Sequence, residues 1–80
     1  MLITHEMQVY GECPIDGKPD IYDVTFTTRR FIKVEDITAA VKNIQSPIFQ
    51  EMMTQQLADK LGCHVRSIGY HSGIKTTCEV

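Results

Sequence analysis

The stretch Cys13-Pro14-Ile15-Asp16-Gly17-Lys18-Pro19-Asp20 sets a thiol and a carboxylic acid at the two ends of one short segment. A thiol becomes a useful nucleophile when it is reachable and its thiolate is favoured, and a loop between two strands supplies access and backbone donors. Pro14, Gly17 and Pro19 set a turn with little freedom, so the chain can fold back until the Asp20 carboxyl faces whatever atom the Cys13 sulfur attacks. The two side chains then read as a nucleophilic thiol paired with a nearby carboxylic acid. The same residue types also serve plainer ends, because a cysteine is often a small buried hydrophobe and Pro-Asp and Asp-Gly pairs are ordinary turn vocabulary.

Other chemistry-bearing side chains are more scattered. His5, His64 and His71 invite a metal, but no H-x-H or H-x-x-x-H spacing occurs, so each reads as a strand or surface histidine and no catalytic metal is expected. His71 can approach the Cys13 loop in an assembly. Arg29, Arg30, Lys33, Arg66 and Lys75 are the groups to meet phosphate if a substrate is polymeric, and otherwise form a solvated face. Met52, Met53, Tyr10 and Tyr70 read as core and subunit-interface material, whereas Tyr22, just after Asp20, is the aromatic best placed to reach a ligand.

Strands and helices must position these groups. From Leu2 to Tyr10, Ile3, Met7 and Val9 alternate with Thr4, Glu6 and Gln8, with His5 on the apolar side, as in a half-buried strand. Tyr22, Val24 and Phe26 resume the period of two, which predicts a hairpin with a wide loop around Cys13. Val34, Ile37, Val41 and Ile44 lie on one helical stripe ending near Gln45. Ser46 fits an N-cap and Pro47 a first helical position, predicting a second helix from Pro47 to Leu61 with Gly62 as its stop. Phe49, Met53, Leu57 and Leu61 would line its buried side. After Gly62, Val65 and Ser67 oppose Arg66 and Ile68, followed by a turn at His71-Ser72-Gly73 and a last strand from Ile74 to Val80.

The result is one α+β domain over residues 1–80, in the order ββααββ: an antiparallel four-stranded sheet with a helix pair on one face. Its uncovered face and free edges call for pairing between subunits, and a ring-forming, barrel-like homo-oligomer is the natural expectation.

Composition bounds the function. Eighty residues with 42% hydrophobic content make one small domain with little stability to spare. No apolar run is long enough to span a bilayer and no secretory signal layout is present, so a cytoplasmic location away from membranes is expected. Cys13, Cys63 and Cys78 are odd in number and contain no C-x-x-C pair, which argues against a disulfide framework and a structural zinc site. The formal charge of −2 lends no support to a broad nucleic-acid footprint, although it excludes no nucleic-acid substrate.

The Cys13 loop resembles the QueF family of nitrile reductases, members of the tunnelling (T-fold) superfamily, which carry a Cys-Pro-x-x-Gly-x-Pro-Asp element. Cys13, Pro14, Gly17, Pro19 and Asp20 match it position for position. Val34-Glu35 resembles a Val-Glu pair of that family, Phe49-Gln50-Glu51 its Phe-His-Glu, and Gly73-Ile74 its Gly-Ile. The resemblance implies a T-fold unit and a substrate, 7-cyano-7-deazaguanine, whose nitrile accepts the Cys13 sulfur to form a thioimide while Asp20 protonates the nitrile nitrogen. Glu51, in the first turn of the second helix where the dipole favours a carboxylate, would hold the purine-like edge. Phe49 and Glu35 from the matched pairs, with Tyr22 and His71 from beside the loop, complete the expected substrate-binding set.

Three departures sharpen the expectation. The reductases have a Glu-Ser-Lys-x-x-Lys-like stretch associated with NADPH, whereas this chain has Glu35-Asp36-Ile37-Thr38-Ala39-Ala40, and Gln50 stands where the family has histidine. The chain is also much shorter than a reductase subunit. It is more similar to the short QueF-like amidinotransferases, which use no NADPH: ammonia displaces the thiol and leaves a formamidine, as in archaeosine, on a deazaguanine already carried in tRNA or, equally open, DNA. That branch implies a homo-oligomer, pentamer or decamer. The alternatives are an NADPH-dependent nitrile reductase and a non-catalytic T-fold module that binds a purine-like ligand.

Overall fold

Alternation of apolar and polar side chains gives each strand two unlike faces, and burial of the apolar faces under helices organises the chain. The computed structural model describes residues 1–80, in the order β1 (Ile3–Glu12), β2 (Pro19–Thr28), α1 (Val34–Lys42), α2 (Gln50–Leu61), β3 (His64–His71) and β4 (Ile74–Glu79). The strands lie in the sheet order β1-β2-β3-β4, each antiparallel to its neighbour. Both helices enter between β2 and β3. α2 packs on β3 and β4, and α1 packs on α2. Val24, Phe26 and Val65 from the sheet meet Ile37, Leu57 and Leu61 from the helices in one core. The expected α+β ββααββ arrangement is therefore observed.

The opposite face of the sheet is bare. Tyr10 stands across from Ile21, both exposed. β1 and β4 are the edge strands, with no neighbour on their outer sides.

Element boundaries differ from the sequence-based expectation in instructive ways. The hairpin ladder continues through Gly11 opposite Asp20 and Glu12 opposite Pro19, so only Cys13–Lys18 connects the strands. Asp20 is consequently the second residue of β2 rather than part of the loop. Pro19, which cannot donate to a ladder, is tolerated because it opens the strand. α1 stops at Lys42, with Asn43 as its C-cap, and Val34 points into solvent while Ala40 takes its place in the core.

α2 begins at Gln50, not Pro47. The Ser46 hydroxyl that was expected to cap it accepts instead from the Glu12 amide at 3.1 Å, and the Ile48 amide donates to the Glu12 carbonyl at 3.3 Å. Residues 46–48 are thereby tied to the end of β1, and Phe49 becomes the N-cap, its ring partly exposed rather than on the buried side of the helix. The stop at Gly62 is as expected: its φ of 62° is left-handed and its amide donates to Ala58.

Phe26 is fully buried at the centre of the sheet. Phe26→Ala is expected to lower the unfolding free energy by about 3–5 kcal/mol, a large share of the ~5–15 kcal/mol that holds a domain together, as read from urea unfolding followed by circular dichroism.

Candidate active site

Cys13 sits in a loop closed upon itself. Its amide donates to the Lys18 carbonyl at 2.9 Å, and the Gly17 amide donates back to the Cys13 carbonyl at 2.8 Å. Gly17 adopts a φ of 71°, a conformation that a side chain would strain. The Asp16 carboxylate accepts from the Lys18 amide at 2.9 Å. That backbone donor, with help from the Cys13 thiol, holds the Asp16 carboxyl below its usual range.

The loop forms one wall of a cavity of about 300 Å³. Asp20 and Tyr22 enter it from β2, Phe49, Gln50 and Glu51 from the start of α2, and His71 from the end of β3. Cys13, Asp20, Tyr22, Phe49, Glu51 and His71, six residues singled out in the sequence, thus share one space within a single chain. His71 needs no assembly to reach the loop. Cys13 is half-buried and lines the cavity. Of the three free cysteines it alone lines this space; Cys63 and Cys78 lie elsewhere, and burial pushes both their thiols up.

Glu35 is placed elsewhere. It lies exposed in the first turn of α1, in a groove shared with Ile3 and His5. β1 has ten residues, so its Ile3 end is about 30 Å from its Glu12 end, and Glu35 is remote from Cys13 in its own chain. The expected cations are also outside. Arg30 donates to the Leu61 carbonyl at the end of α2, Arg66 faces Glu79 at 3.9 Å, and no lysine or arginine lines the cavity. His5, His64 and His71 are dispersed: His5 faces the helix side of β1, His64 contacts Glu79 at 3.1 Å, and His71 stands in the cavity.

Asp20 is held firmly. Its Oδ2 accepts from the Tyr22 hydroxyl at 3.0 Å and lies 3.9 Å from Nδ1 of His71, while Oδ1 has no protein partner. Tyr22 is 1% exposed, and burial, reinforced by the bond to Asp20, raises its hydroxyl far above the ordinary tyrosine range. The phenol therefore remains a donor to Asp20 at any physiological pH.

Sequence reasoning missed the supports. Gln50, noted only as a missing histidine, is 1% exposed and donates to the Ser67 carbonyl, the Ser67 hydroxyl and the Thr76 carbonyl at 3.0–3.2 Å. Its carbonyl oxygen faces His71 Nε2 at 2.8 Å. Thr54 closes the network, donating to the Gln50 backbone carbonyl at 2.7 Å and lying 2.6 Å from the Ser67 hydroxyl. Gly69 leaves room for the Tyr22 ring; a glycine inside a strand was the available signal that something approaches closely.

No family model and no curated protein matches the chain. Among solved structures, the apo crystal structure of the archaeosine synthase QueF-Like superposes with a TM-score of 0.85 over 99% of this chain and 90% of that one, at 17% sequence identity. The chain therefore has the T-fold. Within that T-fold unit, the cavity lies where the β1–β2 loop, the start of α2 and the end of β3 converge.

Two outcomes are expected here. A methyl group on Gly69 would lie 2.5 Å and 2.7 Å from Tyr22 ring carbons, so Gly69→Ala should cost about 1–3 kcal/mol through overpacking, read by thermal unfolding. Because the Asp16 carboxyl is depressed when folded, its bond to Lys18 stabilises the loop above the unfolded value of 3.8 and is lost only as pH falls through the lower folded value. The Lys18 amide chemical shift should accordingly stay constant on acidification down to that range and then move.

Proposed function

We propose that this protein processes the nitrile of 7-cyano-7-deazaguanine through a Cys13 thioimide and converts it, with ammonia, to a formamidine of the archaeosine type. The observation that carries this reading is the convergence of Cys13, Asp20 and Glu51 on one cavity, with Asp20 oriented by the Tyr22 hydroxyl. The volume is at the low end of the ~300–1,000 Å³ that encloses small ligands, which suits a bicyclic base.

The chemistry follows from the side chains. The Cys13 sulfur bonds to the nitrile carbon, one carbon–nitrogen π pair moves to nitrogen, and Asp20 supplies the proton that nitrogen needs. Ammonia then adds to the thioimide carbon, the carbon–sulfur bond breaks, and the sulfur leaves with its electron pair and takes up a proton. The product is a formamidine and the enzyme is regenerated. Glu51, in the first turn of α2, accepts from the ring N–H and amino groups of the base. Phe49, exposed at the N-cap, offers its ring face to the base.

Asp16, Asp20 and Glu51 line the cavity with no lysine or arginine among them, which disfavours a phosphate inside it. A base carried in tRNA or DNA would have to be turned out of its stack to enter, its backbone remaining outside. Homo-oligomer formation belongs to the same reading, supported by the free strand edges and the exposed Tyr10 and Ile21 on the bare sheet face.

Incubation with 7-cyano-7-deazaguanine should give an intact-mass increase equal to the added base, absent in Cys13→Ala and slowed about 10²–10⁴-fold in Asp20→Asn. Ammonium should then release the formamidine. Unmodified wild-type protein would sink the covalent reading in favour of a binding module, and NADPH consumed in step with nitrile loss would replace it with a reductase.

A further inference from the structure

We infer that His71 and Asp20 form a two-member acid that shares one proton, with Gln50 fixing the imidazole so that Nδ1 is the nitrogen turned toward the carboxylate. This rests on the nitrile reading above for its chemical purpose, although the arrangement itself stands on the Gln50 hydrogen bonds and on the placement of His71 beside Asp20.

The orientation of Gln50 is determined by its neighbours. Its Nε2 contacts two backbone carbonyls, Ser67 at 3.2 Å and Thr76 at 3.0 Å, which only a donor can satisfy. The amide oxygen must then face His71, 2.8 Å from Nε2, and an amide oxygen only accepts. His71 Nε2 therefore carries a hydrogen in every protonation state. In the neutral ring this leaves a lone pair on Nδ1, which lies 3.9 Å from Oδ2 of Asp20.

A lone pair facing an ionised carboxylate is repelled, and one proton between them converts repulsion into attraction. That proton resides on Nδ1 as imidazolium beside carboxylate, or on Asp20 beside neutral imidazole. The 3.9 Å gap is spanned by a modest side-chain rotation or one water. Tyr22 does not compete for the role, since its hydroxyl remains protonated and only anchors Oδ2. His71 meets Gln50, Asp20 and the Tyr22 ring directly, and shares the cavity with Glu51 from α2 and with Cys13 and Asp16 from the loop, with no lysine or arginine in its lining. The carboxyl groups of Asp16, Asp20 and Glu51 are the charged neighbours that share this cavity with the imidazole.

In the addition step, the shared proton passes from Asp20 to the nitrile nitrogen as the sulfur–carbon bond forms and the π pair moves to nitrogen. The proton lost from the Cys13 thiol returns to the pair through solvent, so none is gained or lost overall. His71 is in this scheme a positioning residue that acts through Asp20.

The test uses the full chain. Nitrogen-15 NMR of the imidazole in the free protein should show the neutral ring as the Nε2–H tautomer, and an Nδ1–H tautomer would overturn the inference. Thioimide formation, followed by mass across pH, should slow about 10²-fold or more in His71→Gln with a changed pH profile. Asp20→Asn with His71→Gln should be no slower than Asp20→Asn alone, because the two act as a unit. A wild-type rate and pH profile in His71→Gln, or losses that multiply in the double variant, would defeat it. If the wild type forms no adduct, the nitrile reading fails by itself, and the tautomer, together with the response of the His71 ring signals to Asp20→Asn, still decides the pairing: ring signals indifferent to Asp20→Asn refute it.

Discussion

One buried side-chain amide, that of Gln50, joins the first turn of α2 to both β3 and β4 and presents its oxygen to the cavity. A polar group sealed from water is costly unless satisfied, and leaving it or its partners unpaired costs about 1–3 kcal/mol. The helix start, the end of the β3–β4 hairpin and the imidazole are therefore registered to one another by bonds that cannot be relaxed singly. Networks of this kind specify geometry as much as they stabilise it. Glu51, next in the chain, inherits its position at the cavity wall from the same anchor.

A second constraint is packing. Tyr22 passes over Gly69, where no side chain intervenes, and this close approach delivers its hydroxyl to Asp20. The carboxylate is thus fixed from beneath by a residue two positions along the same strand, on the face that β2 turns toward the helices. Side-chain geometry built on strands in this manner is more rigid than geometry built on loops. Only Cys13 is on a loop, and that loop is closed by its own backbone bonds.

Much of this was legible in the sequence because it rests on periodicity. Ile3 to Val9, Tyr22 to Phe26 and Val65 to Ser67 alternate cleanly, so strand identity and facing were readable, and Gly62 marked the end of α2. That Cys13 and Asp20 fall close enough to line one cavity was readable from the loop residues. The start of α2 was not, because Ser46 has two possible uses, capping a helix or binding a distant amide, and only the fold chooses Glu12. Gln50 and Gly69 were opaque for a similar reason: their importance is in contacts with residues seventeen or more positions away, or across the sheet, where local pattern carries no signal. Glu35 was placed by a local pair of residues that says nothing of distance.

The hairpin after His71 has an arithmetic of its own. Ser72 and Gly73, both at positive φ, make the tightest connection that strand twist allows, and His71 is the last residue before it. Side chains on a strand point alternately up and down, so the count of residues between Ser67 and the turn decides by its parity which way the imidazole points. Insertion or loss of one residue there would leave a sheet of much the same shape with the histidine on its outer surface and the cavity without an imidazole. Relatives sharing this architecture can therefore be sorted by odd or even spacing before any of their residues are compared.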